Sequence, residues 1–83
     1  MKVRYFAWLR ERLDRSEEDV DPPASVVTVA DLIAWLRSRD EAADLAMQKP
    51  ELVKAALDAE IVSHATPLGH AKVVALFPPM TGG

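Results

Sequence analysis

The stretch from residue 28 to residue 39 is strongly patterned as an amphipathic helix. Its apolar side chains recur at the i, i+3, i+4, i+7 spacing that marks one helix face: Val29, Leu32, Ile33 and Leu36. Thr28 and Asp31 stand three residues apart and resemble a capping box, which fixes where the helix begins. A chain of 83 residues has room for one hydrophobic core. The pattern therefore predicts a single domain in which this helix packs on one face of a sheet.

The segments around this helix are short and mostly strand-like. Four of them are rich in β-branched or aromatic residues or alternate apolar with polar ones: residues 1–8, 52–57, 60–62 and 72–77. The acidic residues 16–21 lack the central glycine of a calcium loop and are predicted to form an edge strand and turn. Short helices are predicted over 9–14 and 40–47, the latter capped by Asp40. Runs of strands around one main helix predict an α+β fold.

Composition and charge exclude several classes of function. The net charge of −3 and the lack of a Lys/Arg cluster argue against a nucleic-acid binder. No apolar run approaches the roughly 20 residues of a membrane span, and the N-terminus does not resemble a signal peptide, so we expect no membrane partner and a cytoplasmic location. The chain has no cysteine, so it has no thiol chemistry of its own.

Side chains with catalytic potential are few and scattered. His64 and His70 are six residues apart across a Pro/Gly turn, a spacing that favours two exposed loop histidines over a metal site. The serines lie in no nucleophile-elbow context, and no glycine-rich loop is present that would bind phosphate. We therefore expect no bound metal or cofactor and no catalytic side chain.

The C-terminal segment is unlike the rest of the chain. Two prolines remove two N–H donors, so the segment cannot continue a sheet, and two glycines allow its end to enter a narrow channel. We therefore divide the chain into a body, residues 1–77, and an extended tail, residues 78–83. The one reactive group that this tail offers is the Gly83 carboxylate. The alternatives are a frayed terminus, a truncation or a cloning scar. The tail comprises Pro78, Pro79, Met80, Thr81, Gly82 and Gly83.

Strand alternation predicts an aromatic surface near the tail. If residues 1–8 form one strand, Val3 and Tyr5 face the core, whereas Phe6 and Trp8 share the outer face with two cations. The alternative is that the next turn covers these two aromatic residues. Phe77, the last residue before the tail, is predicted to lie beside them.

The two ends of the chain resemble the small subunit of molybdopterin synthase. The resemblance is carried by residues 1–11, Met-Lys-Val-Arg-Tyr-Phe-Ala-Trp-Leu-Arg-Glu, and by residues 74–83, which end in Phe-Pro-Pro-Met-Thr-Gly-Gly. It implies a ubiquitin-like β-grasp fold, with a mixed sheet of about five strands and one main helix on one face. It also implies that Phe6, Ile61 and Phe77 form the partner interface. The chain has Asp58 where members often have Asn, and Lys72 in a loop that is often acidic.

The resemblance further implies a carrier role in molybdenum cofactor biosynthesis. A ubiquitin-activating-like adenylyltransferase uses ATP to adenylate Gly83, and a sulfurtransferase supplies the sulfur that makes it a thiocarboxylate. The tail then threads into the large subunit, where sulfur passes to cyclic pyranopterin monophosphate. The expected complex is a heterotetramer with two carriers. The alternatives are a sulfur carrier for thiamin or tRNA thiolation, and a ubiquitin-like modifier that forms isopeptides through Gly83.

Overall fold

The computed structural model describes residues 1–79. The predicted tail residues Met80, Thr81, Gly82 and Gly83 lie outside that range. In chain order the elements are β1 (Lys2–Tyr5), α1 (Ala7–Leu13), β2 (Glu17–Asp19), α2 (Val29–Arg39), α3 (Glu41–Ala46), a 3-10 turn (Pro50–Leu52), β3 (Lys54–Leu57), β4 (Glu60–Val62) and β5 (Val73–Phe77).

The five strands form one mixed sheet in the order β2-β1-β5-β3-β4. The strands β1 and β5 pair in parallel, and the other neighbours pair antiparallel. This confirms the predicted α+β fold. The acidic β2 is an edge strand, as predicted, and its carboxylates discourage pairing with another chain. The central strand is β5, so the segment that leads to the tail pairs with β1 on one side and with β3 on the other.

The core lies between the sheet and α2. The sheet contributes Val3, Val74 and Leu76, all fully buried, and the helix contributes the four apolar residues of its predicted face. The predicted capping box is also present. The Asp31 N–H donates to Thr28 Oγ1, and the Asp31 carboxylate accepts from the Thr28 N–H, both at 3.1 Å. The predicted position and face of the main helix are therefore confirmed.

We predict that Thr28→Ala lowers the free energy of unfolding by about 1 kcal/mol, because the N–H at the third helical position loses its acceptor. Urea denaturation of the whole chain measures the loss. Ser25→Ala is the matched control, since Ser25 is exposed and lies outside the helix. Equal stabilities of the two variants would contradict this role of the cap.

The strand predicted over residues 1–8 is too long, and this part of the prediction is wrong. β1 ends at Tyr5, Phe6 becomes the N-cap of α1, and Trp8 lies on that helix, half-buried against the core. The physical reason is burial of apolar surface. The helix places Leu9 and Leu13 one turn apart on one face, and both are buried. Of the two aromatic residues predicted on the outer face, only Phe6 lies there.

A polar network joins the β2 edge to the helices. The Tyr5 hydroxyl donates to Glu18 at 2.6 Å, and Arg15 donates to the same Glu18 oxygen at 3.0 Å. Arg15 also pairs with Asp40, whose other oxygen accepts from the Ala42 N–H and so caps α3. This network fixes the start of α3 against the sheet edge.

Arg15 holds the pKa of Asp40 below its ordinary value of 3.8, because its guanidinium hydrogen-bonds the charged carboxylate. The folded protein thus favours the ionised form. That stabilisation is present above the ordinary pKa and is lost as pH falls through the lower folded pKa. We predict that Arg15→Gln raises the pKa of Asp40. The free energy of unfolding should then depend less on pH below the ordinary pKa of 3.8. Carboxyl chemical shifts followed by NMR against pH measure the change, and a pKa unaffected by the substitution would contradict it.

Candidate functional site

The sheet face opposite α2 carries the candidate site. One row of directly paired residues crosses four strands, from Arg4 on β1 through Ala75 on β5 and Ala56 on β3 to Ile61 on β4. Directly paired residues point to the same face, and this row alternates with the residues that face α2, although Ala56 in the row is also buried. The two residues at its centre are alanines, whose small side chains project little from the sheet. Ile61, at the edge, is 73% exposed. The outcome is a flat, largely apolar surface with a protruding isoleucine at one edge.

Two phenylalanines close the end of this surface from which the tail continues. Phe77 is the last residue of β5, is half-buried and shares the face of Ala75 by strand alternation. Phe6 is 38% exposed, and its backbone N–H donates to the Leu76 carbonyl at 3.1 Å. The structure thus brings Phe6, Ile61 and Phe77 to one side of the molecule. We call this region the sheet surface and define it as Arg4, Phe6, Ala56, Ile61, Ala75 and Phe77.

The sheet surface contains an open depression of about 360 Å³. Arg4, Phe6, Val73 and Ala75 line it together with the β3–β4 turn. The Arg4 guanidinium lies 5.6 Å from the centroid of the Phe6 ring, a cation–π distance, and its Nε lies 3.7 Å from a carboxylate oxygen of Glu17. Such a site suits an apolar side chain of a partner.

The β3–β4 turn forms the far wall of this depression and is held by Asp58. Both turn residues have positive φ, 46° at Asp58 and 73° at Ala59. The Asp58 carboxylate accepts from the N–H groups of Lys72 and Val73, each at 3.0 Å. Asparagine, the residue that the resemblance led us to expect here, could supply the same acceptor and also tolerates positive φ, so aspartate is compatible with the same turn. The strands β3 and β4 pair antiparallel and form a hairpin through this turn.

The start of the predicted tail is packed on the body. Pro78 is buried and Pro79 is half-buried, so both prolines still contact the domain after β5 has ended. The remaining positions of the predicted tail, including Gly83, lie outside the described residues. The described part therefore shows where the chain leaves the sheet, beside Phe6 and Phe77.

The two histidines differ in their surroundings. His70 is exposed, as predicted, but His64 is half-buried, with its Nε2 2.6 Å from the Val53 carbonyl oxygen, so the prediction for His64 is wrong. The loop that carries His64 is hydrogen-bonded to the start of α2, where the Ala30 N–H donates to the His64 carbonyl. The imidazole ring therefore lies against the domain. Within residues 1–79, no cluster of His, Asp or Glu has the geometry of a metal site. No helix in the same range has the length and apolar character to cross a membrane.

Several residues of the site were not singled out from the sequence. Ala56 and Ala75 make the flat floor, but alanine gives no signal of a contact role. Ala59 shapes the depression through its backbone conformation rather than its side-chain type. Strand alternation would have placed the alanines on this face once the register was known.

Several solved structures are similar to this chain. A structure titled putative molybdopterin converting factor, subunit 1, from Pyrococcus furiosus is 28% identical, with a TM-score of 0.73 over 95% of each chain. SAMP1 from Haloferax volcanii is 23% identical, with a TM-score of 0.72, covering 100% of this chain and 98% of that one. A second structure of that small archaeal modifier protein is 21% identical, with a TM-score of 0.73, covering 96% and 97%. No curated protein matched.

These structures confirm the ubiquitin-like β-grasp fold that the resemblance implied. A family model described as the ThiS family matches residues 3–83, which is nearly the whole chain. The chain therefore belongs to the ThiS family.

Proposed function

We propose that this protein is the sulfur carrier subunit of a molybdopterin synthase. The observation that carries the proposal is the apolar sheet surface beside the end of β5, from which a Pro-Pro-Met-Thr-Gly-Gly segment continues. A carrier needs a surface that a partner recognises and a reactive end close to it. The likeness to the Pyrococcus furiosus protein supports the molybdopterin pathway in particular.

The chemistry of the carrier takes place at the Gly83 carboxylate. A carboxylate is a poor electrophile, so an adenylyltransferase first joins it to the α-phosphate of ATP and releases pyrophosphate. A sulfur nucleophile from a sulfurtransferase then displaces AMP and leaves a thiocarboxylate. The chain itself needs no thiol for this sequence, which agrees with its lack of cysteine. The sulfur is then delivered to cyclic pyranopterin monophosphate in the large subunit.

The sheet surface is the proposed docking site for that large subunit. Docking would bury Ile61 and the exposed part of Phe6, and aromatic or aliphatic anchors in a desolvated centre dominate many interfaces. Burying a side chain the size of isoleucine contributes about 1.5–3 kcal/mol. Pro78 and Pro79 would direct Met80, Thr81, Gly82 and Gly83 from this surface into the partner's active site. Two such carriers would bind one dimer of large subunits.

A second candidate is a ubiquitin-like modifier, which the fold shared with SAMP1 supports. In that case the activated Gly83 forms an isopeptide with a lysine of a target instead of accepting sulfur. A carrier for thiamin or tRNA thiolation would share the thiocarboxylate but not the large subunit. The pathways therefore differ in what happens after activation.

A reconstituted assay tests the proposal. The chain is activated with ATP, the adenylyltransferase and a sulfur source, and is then mixed with the molybdopterin synthase large subunit and cyclic pyranopterin monophosphate. We expect molybdopterin to form in proportion to the thiocarboxylated carrier. Lysine conjugates without molybdopterin would favour the modifier, and a thiocarboxylate that the large subunit does not consume would favour another thiolation pathway.

A further inference from the structure

The side chain of Phe6 lies on the sheet surface, outside the buried core. Its backbone is fixed, because its N–H donates to the Leu76 carbonyl and its dihedral angles, φ −126° and ψ 158°, continue the extended chain of β1. The exposed ring has no such restraint from the core and can change rotamer. A partner that binds the ring must then order it, and that loss of freedom opposes binding.

The Arg4 guanidinium provides one contact for this ring. Arg4 comes two residues before Phe6, and because the chain between them is extended, both side chains point to the sheet surface. The guanidinium lies 5.6 Å from the ring centroid, within the roughly 6 Å range of a cation–π interaction. The residue paired directly with Arg4 on β5 is Ala75, whose small side chain leaves the arginine room to lie in other directions. The stacked position therefore depends on a second contact.

Glu17 provides that second contact from the edge strand. It is the direct cross-strand partner of Arg4 on β2, and its Oε1 lies 3.7 Å from Arg4 Nε. Its other oxygen, Oε2, lies 3.2 Å from Lys2 Nζ, so one carboxylate joins two cations on the same face of β1. Ion pairs between exposed side chains contribute little to stability. The effect of this ion pair is to restrict where the Arg4 guanidinium lies.

We propose that Glu17 is a positioning residue for docking: it holds the Arg4 guanidinium against Phe6 and so orders the aromatic ring before the partner binds. This inference rests on the proposed function, because the partner is the large subunit of the synthase. A ring that is ordered in the free carrier loses less freedom on binding, which is how preorganisation raises affinity. Glu17 needs no contact of its own with the partner to have this effect.

The test measures two properties of the full chain: calorimetric binding to the purified large subunit, and the Arg4 side-chain proton shifts of the free carrier by NMR. An aromatic ring shields protons that lie above its face, so these shifts report the stacking directly. Glu17→Gln removes the charge and keeps the shape of the side chain. Asp19→Asn is the matched control, since Asp19 is an exposed carboxylate of the same strand and forms none of the ion pairs found within residues 1–79.

We expect Glu17→Gln to weaken binding to the large subunit about threefold, the size of effect that an exposed cation–π contact can have. The Arg4 proton signals should be shifted upfield in the wild type and should move downfield in Glu17→Gln. The Asp19→Asn control should match the wild type in both measurements.

A double-mutant cycle shows whether Glu17 acts through Arg4 and Phe6. Arg4→Met removes the guanidinium and retains an unbranched side chain, and Phe6→Leu removes the ring. In each of these two backgrounds, Glu17→Gln should cause no further loss of affinity.

The same threefold loss in the Arg4→Met background would overturn the inference, because Glu17 would then act by another route. Arg4 proton shifts that do not respond to Glu17→Gln would also overturn it. Wild-type chain that does not bind the large subunit would overturn the proposed function together with this inference. Normal wild-type binding that Glu17→Gln leaves unchanged would overturn the inference alone.

Discussion

Deletion of Gly83 is expected to abolish sulfur delivery and to leave the free energy of unfolding unchanged. The buried hydrophobic residues of the described core lie between Val3 and Leu76, so we expect the deletion to leave that core intact. The deletion moves the carboxylate one residue closer to the body, which withdraws it from the active sites that must reach it. Adding an alanine after Gly83 should have the same effect, because the new end carries a Cβ that a narrow channel excludes. Single-turnover molybdopterin formation and urea denaturation measure the two quantities.

Thr81→Ala is the control for the Gly83 variants, since it changes the tail and keeps the terminal carboxylate in place. We expect it to retain most of the activity. Sulfur delivery by the Gly83 deletion at the wild-type rate would refute a mechanism that depends on the position of the terminal carboxylate.

Ile61→Glu is expected to weaken binding to the large subunit by at least about 2 kcal/mol, roughly thirtyfold in Kd. Ile61 is the most exposed large apolar residue of the sheet surface, and a carboxylate there would have to be desolvated in the interface. Because the side chain is exposed, the unfolding free energy should change by no more than about 0.5 kcal/mol. Isothermal titration calorimetry with the purified large subunit gives the affinity.

Val27→Glu is the matched control for Ile61→Glu, because Val27 is 53% exposed and lies at the start of α2, away from the sheet surface. It should bind like the wild type. Phe77→Ala adds a second test of the same surface, since it should weaken binding more than stability. Equal losses of binding and stability would assign Phe77 to the core instead.

Much of the fold could be predicted because local pattern and tertiary packing agree. The spacing of apolar residues in α2 and the Thr28–Asp31 cap are local signals, and both are present in the structure. The prediction failed at residues 6–8 because strand alternation there is compatible with an extended chain. The helix predicted from residue 9 begins two residues earlier, at Ala7, and the packing of Trp8 against the core, which depends on the rest of the fold, favours that earlier start. Leu52 likewise reads as part of a strand but lies in the turn before β3.

The candidate site was only partly predictable for the same reason. Strand alternation and the resemblance both indicate Phe6 and Phe77, whereas Ile61 is named by the resemblance alone. Their position on one face follows from strand pairings that sequence alone does not give. The flat centre of the sheet surface depends on two alanines, whose small side chains leave space above the sheet.

The mass of the carrier's C-terminal peptide, measured on protein from cells that make molybdenum cofactor, tests the central claim most directly. The account predicts a fraction of chains in which one oxygen at Gly83 is replaced by sulfur, and this fraction should disappear when the adenylyltransferase is removed. A terminus that is always an unmodified carboxylate, or that occurs only as isopeptide conjugates to lysine, would contradict it.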